Sequence, residues 1–294
     1  MKIFTFVVSA IFTIALFCVA SSKASAALWV ITYPQSIVID DERTVYPLSL
    51  LELALSKTGV RFEIRPSSSP IRQQRAVKRL EENLEINLMW TMTDLQREED
   101  LLPIRIPISK GLSGWRLLLV KSNHPLYQKP VQDIEQLLEY EPVQGIAWPD
   151  TKILQNSGFN VVTGRDYTES RELLLTGAAD FFPRAITEVY SEQKKDGQAD
   201  GLRIKSKVAL RYPTAMYFFV NKRNKTLAKL VETGLMRAIE DGSFDAHFEA
   251  FYANRLRSLE TSEFVYFELD NQLLPPQTPV FDQRFWYKPP AKVK

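Results

Sequence analysis

The residues with chemistry to offer stand where apolar runs break. Thr91, Thr93 and Arg97 follow the apolar run Ile86–Trp90. A guanidinium flanked by hydroxyls suits a carboxylate or similar anion, because its planar fork donates two parallel hydrogen bonds. The plainer role is a surface ion pair of Arg97 with Glu98 or Asp100. Asp150-Thr151-Lys152 stands at a helix start after the run Val143–Trp148. Free backbone N–H groups there can hold an anion with help from Lys152, while Asp150 is equally a good helix cap. Pro183-Arg184 directly follows Ala179-Asp180-Phe181-Phe182 and supplies a second cation, which could instead pair with Glu188 one turn on. Tyr33 ends the first apolar run, as a ligand-facing ring or an ordinary buried one. These residues together make a candidate site for a small anionic solute.

Other chemistries find little support. The chain has two histidines, His124 and His247, and neither sits among acids or cysteines at metal-ligand spacing. There is no Gly-rich phosphate loop and no G-x-S-x-G elbow. Glu98-Glu99-Asp100 directly follows Arg97 and reads as a solvated turn. No metal and no cofactor is expected. The start of the chain reads as a cleavable secretory signal over residues 1–26: Met1-Lys2, the apolar run Ile3–Ala20, then Ala24-Ser25-Ala26. Cys18, the single cysteine, falls in that run, so the mature chain would have no disulfide framework. The formal net charge is +2, and the signal would remove two lysines and no acid. The neutral remainder predicts no nucleic-acid or polybasic membrane partner.

The elements that must position these side chains alternate. Leu28–Tyr33 reads as a strand, Tyr46–Thr58 as a helix stopped by Gly59, Val60–Arg65 as a strand, and Ile71–Leu84 as a basic amphipathic helix. Ile86–Trp90 completes a parallel α/β unit, and Leu117–Val120 is the next strand. A second unit of similar size follows. Its strands are Val143–Trp148, Asn160–Val162, Ala179–Phe182 and Leu202–Ala209, with helices over 131–139, 152–156, 168–176 and 185–194. Leu210–Val220 reads as one strand interrupted by Pro213, and helices follow over 224–240 and 243–257. From Ser258 the periodicity fades into a Pro-rich extension, which Phe281, Phe285, Trp286 and Tyr287 are expected to pin to the body.

This order of features resembles the periplasmic solute-binding proteins of family three, the amino-acid-binding type, as a divergent subgroup. The resemblance covers roughly Leu28–Arg257. Tyr33-Pro34 is similar to the family's aromatic-Pro after the first strand. Thr91 and Thr93–Arg97 resemble its small-x-Thr-x-x-Arg segment, with one extra residue before the arginine. Gly145–Thr151 resembles the strand and Gly-Thr helix start, with Pro149 in place of the glycine. Gly177–Arg184 resembles the G-x-x-Asp-Ala strand, but Pro183-Arg184 stands where amino-acid binders place an acid nearby.

The resemblance implies an α/β, two-domain type II periplasmic-binding fold with a cleft between the domains. Domain 1 would be discontinuous, 27–120 plus 210–257, domain 2 would be 121–209, and 258–294 would be the extension. It implies a monomeric periplasmic protein, not an enzyme, that captures a carboxylate-containing ligand with Arg97 and Arg184 and hands it to an ABC-type permease. A ligand-sensing regulator of a membrane protein is the first alternative. A dehydratase using Glu188 or Asp150 as its acid is the second.

Overall fold

The computed structural model describes residues 27–39, 41–193, 201–261 and 264–289. The expected signal over 1–26 lies outside the described residues. No helix among them is long and apolar enough to cross a membrane.

Strand β1 (Leu28–Gln35) pairs in parallel with β2 (Arg61–Pro70), from Leu28 opposite Arg61 to Gln35 opposite Pro70. Parallel neighbours need a crossover, and α1 (Val45–Ser56) supplies it. Its spacing turns Leu50, Leu51, Ala54 and Leu55 inward. Helix α2 (Gln73–Glu81) buries Ala76 and Leu80, one turn apart, and keeps its basic residues outside. The chain then enters β3 (Met89–Met92), α3 (Leu95–Asp100) and β4 (Leu102–Ile104). Asn87 joins β1 to the start of β3: its side chain bonds the Thr32 N–H and the Val30 carbonyl at 2.8 Å each. β10 (Met216–Val220) lies antiparallel between β3 and β4. α9 (Lys225–Glu240) covers α1, with Gly234 so close to Ala54 that a β-carbon there would strike the Ala54 carbonyl.

The second lobe is built on β5 (Trp115–Lys121), buried on both faces until its last residue. β5 lies between β8 (Phe181–Ala185) and β9 (Leu202–Arg211), antiparallel to both. β6 (Val143–Gly145) and β7 (Val162–Gly164) form a parallel pair, and a bridge from Pro142 to Phe181 ties them to β8. Short helices connect these strands: α4 (Pro125–Gln128), α5 (Ile134–Leu138), α6 (Pro149–Asn156), α7 (Tyr167–Thr176) and α8 (Val189–Glu192). α10 (Ser243–Thr261) follows α9.

Two segments join the lobes, 105–114 outward and 212–215 on the return. They run side by side: Tyr212 N donates to the Gly114 carbonyl at 3.2 Å and Ile108 N to the Met216 carbonyl at 2.9 Å. The chain thus forms a two-lobed α/β fold with a cleft beneath the crossings.

Several expected boundaries move. β5 belongs to the second sheet, because its partners are β8 and β9, so residues 115–120 leave the first lobe. The run Leu210–Val220 is not one strand: Pro213 sits in the return crossing, and the flanking strands join different sheets. Pro183 and Arg184 lie inside β8, opposite Leu118 and Leu117, instead of following it. Of the helix expected over 185–194, Ala185 closes β8 and α8 covers Val189–Glu192, while residue 194 lies outside the described residues.

The extension is more ordered than fading periodicity suggests. β11 (Val265–Glu268) adds in parallel to the edge of β9. Farther on, Phe285 is buried, Trp286 lies on Gly111, and Tyr287 N donates to the Lys110 carbonyl at 2.8 Å. Phe281 departs from the expected docking, at 94% exposed.

Candidate functional site

Strand ends on both lobes open onto one cleft of about 460 Å³. That is where an open α/β sheet places ligands, beyond the carboxyl ends of its strands. The first lobe contributes the β1–α1 loop, the start of α2 and the end of β3. The second contributes the β6–α6 turn, the start of α7, and the end of β8 with the residues after it. The walls are aromatic: Tyr46, Trp90, Trp148, Tyr167, Phe251 and Tyr252 all line it.

The floor is charged and densely paired. Arg184, 2% exposed, makes a two-pronged bond to Glu192 at 2.7 and 2.9 Å and also meets Glu188 at 2.9 Å. Its guanidinium lies over the rings of Phe182, Trp148 and Tyr167 at 4.7, 5.1 and 5.3 Å. Burial opposes its charge, but the two carboxylates outweigh burial and raise its pKa. Arg116, 4% exposed, pairs with Asp150 at 2.5 Å and has Glu188 at 3.6 Å. Tyr212 donates its hydroxyl to the same Asp150 oxygen, and burial drives its own pKa well up. Arg43 reaches in from the first lobe, paired with Asp41 and 3.9 Å from Glu192. Three guanidinium groups thus face four carboxylates, and each is already balanced within the protein.

Of the residues expected at the site, Thr91, Asp150 and Arg184 line the cleft. Thr91 accepts a hydrogen bond from Gln73 at 2.7 Å. Asp150 serves as the partner of Arg116 and not as a cap, since the cap position belongs to Trp148. The other five residues lie away from the lining.

Tyr33 lies against Trp90, with ring centres 5.6 Å apart. Thr93 donates to Glu98 at 2.7 Å. Thr151 donates to the Gly145 carbonyl at 2.8 Å, and Lys152 is exposed. Arg97 is 6% exposed and donates to the Met92 carbonyl at 2.8 Å, to Asp94 at 3.1 Å and to the Ala147 carbonyl at 3.1 Å. Burial lowers its pKa against the pull of Asp94 and Asp150. Asp94 caps α3 and accepts from the Arg97 side chain, which also links the strand end to the Ala147 carbonyl of the other lobe.

Arg43 and Arg116 line the cleft, and Tyr212 and Glu192 pair with its floor residues Asp150 and Arg184, yet none of the four was expected there. Arg116 left a readable signal, a cation at the start of a run that is otherwise apolar to Val120. The others reach the floor through loops or a short helix that carries no periodicity.

Glu188 bears on the dehydratase alternative. Against its burial, Arg184 and Arg116 hold its carboxyl below the usual range. A carboxylate held ionised is a poor proton donor. Among the described residues no group of three or more potential ligands is arranged for a metal ion.

No family model matches the chain, and no curated protein matches it. Solved structures do. An ancestral arginine-binding protein bound to arginine superimposes with a TM-score of 0.56 at 15% identity, covering 76% of this chain and 98% of that one. The arginine-, lysine-, histidine-binding protein ArtJ from Geobacillus stearothermophilus gives 0.55 at 13%, covering 77% and 96%. A histidine kinase sensor domain with similarity to periplasmic binding proteins gives 0.56 at 12%, covering 77% and 96%. At these identities the likeness speaks for architecture alone: the chain has the two-lobed type II periplasmic binding fold.

Proposed function

We propose that this protein is a periplasmic solute-binding protein, which encloses a small polar solute between its lobes. One observation carries this reading: a single cleft takes its lining from strand ends of both lobes, beneath two adjacent crossings. A solute touching both sides gains contacts as the lobes close, and that difference in contacts is what drives closure. The expectation of an anionic solute relied on Arg97 and Arg184 being free. Arg97 is spent on the protein's own carbonyls and Arg184 on two carboxylates. The solute is therefore one without net negative charge.

Native mass spectrometry of freshly purified protein, followed by thermal-shift and small-angle scattering with neutral, zwitterionic and anionic solutes, tests this. A neutral or zwitterionic solute should raise Tm and reduce the radius of gyration. A protein that encloses no solute in such a panel, or that closes only on anions, sinks the reading.

Delivery to an ABC-type permease is the first use of such a protein. A second use, signalling to a membrane partner, draws support from the extension, which fastens onto both crossings at Lys110 and Pro213. A segment seated on both crossings changes shape whenever the lobes move. Crosslinking in membranes separates the two: a captured permease supports transport and a captured kinase supports sensing.

A further inference from the structure

Arg116 differs from the other cations of the floor. Among the described residues, its Nε is a buried side-chain nitrogen with no hydrogen-bonding partner in the protein, and no other such buried atom belongs to a residue lining the cleft. The remaining donors of the group are engaged or crowded: Nη2 meets Asp150 at 2.5 Å, and Nη1 lies 3.6 Å from Glu188. A buried N–H without an acceptor is costly, so the position favours an incoming oxygen.

The surroundings decide which oxygen. Two carboxylates already lie within 4 Å of this guanidinium. A third carboxylate at Nε would sit beside two like charges in a poorly hydrated floor, and the cation has no charge left to offset them. A neutral carbonyl meets no such repulsion. Asp150 and Glu188 are acceptors only, so they in turn favour a neighbouring N–H on the same ligand group. An amide accepts at one atom, donates from the adjacent one and carries no charge.

We infer that Arg116, Asp150 and Glu188 form a subsite for a neutral amide group of the solute, with its carbonyl oxygen on Arg116 Nε and its N–H turned to the carboxylates. This rests on the enclosing cleft proposed above and names the chemistry the floor selects. A site built around paired donors and acceptors discriminates strongly against an analogue that leaves them unpaired.

The probes are acetamide and acetate, matched in shape and differing in charge. In intact protein with ¹⁵N-labelled arginine, acetamide should shift the Arg116 Nε–H resonance saturably, and acetate should need at least tenfold higher concentration. The resonance is assigned by its loss in Arg116→Lys, which keeps a cation for Asp150 and Glu188. Acetamide should bind that variant at least tenfold more weakly. Acetate binding as tightly as acetamide, acetamide binding unchanged in Arg116→Lys, or no shift from either probe would each overturn the subsite. Those results leave solute enclosure intact, because closure is read separately by scattering. Conversely, a saturable acetamide shift in a protein that no solute closes would sink enclosure and keep the subsite.

Discussion

Arg97 Nη2 donates to the Ala147 carbonyl at 3.1 Å, joining the start of α3 in one lobe to the β6–α6 turn of the other. The same side chain holds the Met92 carbonyl and Asp94. Hydrogen bonds from a charged donor are worth about 1.5–3 kcal/mol each when buried, and truncation leaves two carbonyls unpaired. Arg97→Ala should therefore lower stability by about 2–3 kcal/mol in urea titrations. It should weaken solute binding only through the lost bond between lobes, by about tenfold or less. A loss of binding a hundredfold or greater with an unchanged unfolding midpoint would restore Arg97 as a direct clamp.

Arg184 is held by charge, paired with Glu188 and Glu192. Removing it strands Glu188 and Glu192 beneath Trp148 and Tyr167. Breaking a buried pair by deleting one partner costs about 3–5 kcal/mol. Arg184→Met should reach that range in urea unfolding. Replacing Arg184, Glu188 and Glu192 together with apolar residues of similar size should recover most of the loss. A single variant as stable as the parent would mean that water already reaches the cluster.

How much of this was legible in the sequence depends on whether a signal is local. The strand–helix alternation of residues 28–92 was readable, because apolar spacing of two or near four residues reports which face is buried. Thr91, Asp150 and Arg184, which line the cleft, could be named as candidates because each sits at or near a strand end. The role of Arg97 was not readable. Its direction is set by Asp94 three residues earlier and by a carbonyl 50 positions away in sequence. The parting of β9 from β10 at Pro213 was hidden because apolar residues stand on both sides of it, Val208–Leu210 before and Met216–Val220 after. Pairing partners, not composition, assign them to different sheets. Arg43 and Glu192 meet across the cleft from a single 3-10 turn and a four-residue helix, where periodicity says nothing.

Gly114 sets how closely the two crossings approach. A β-carbon there would run into the Tyr212 carbonyl oxygen, which is backbone and cannot swing away. The neighbouring Tyr212 N–H bonds the Gly114 carbonyl at 3.2 Å, so the contact also fixes the register of β5 against β9. Gly114→Ala should cost about 1–3 kcal/mol, as overpacking of a tight interior does. It should also spread the crossings, which scattering would read as a more open pair of lobes. Full stability in this variant would show that the crossings have room to separate.

Across the mouth of the cleft, Arg72 Nε donates to Asp166 Oδ2 at 2.9 Å. Burial pushes the Asp166 carboxyl up, but the bond from Arg72 and the Glu169 N–H outweigh it and leave the pKa lowered. A depressed folded pKa contributes its stabilisation above the ordinary aspartate value and loses it as pH falls through the depressed one. The closed arrangement should thus weaken as pH drops below about 4. The change is small, because Arg72 is largely exposed and such a pair is worth about 1 kcal/mol or less. Asp166→Asn isolates it: asparagine still caps α7 but offers no charge to Arg72. At pH 7 the variant should scatter like a slightly more open protein, and 1 M salt should bring the parent toward it. Equal acid-induced opening in parent and variant would assign the effect to other carboxylates, Glu188 first among them.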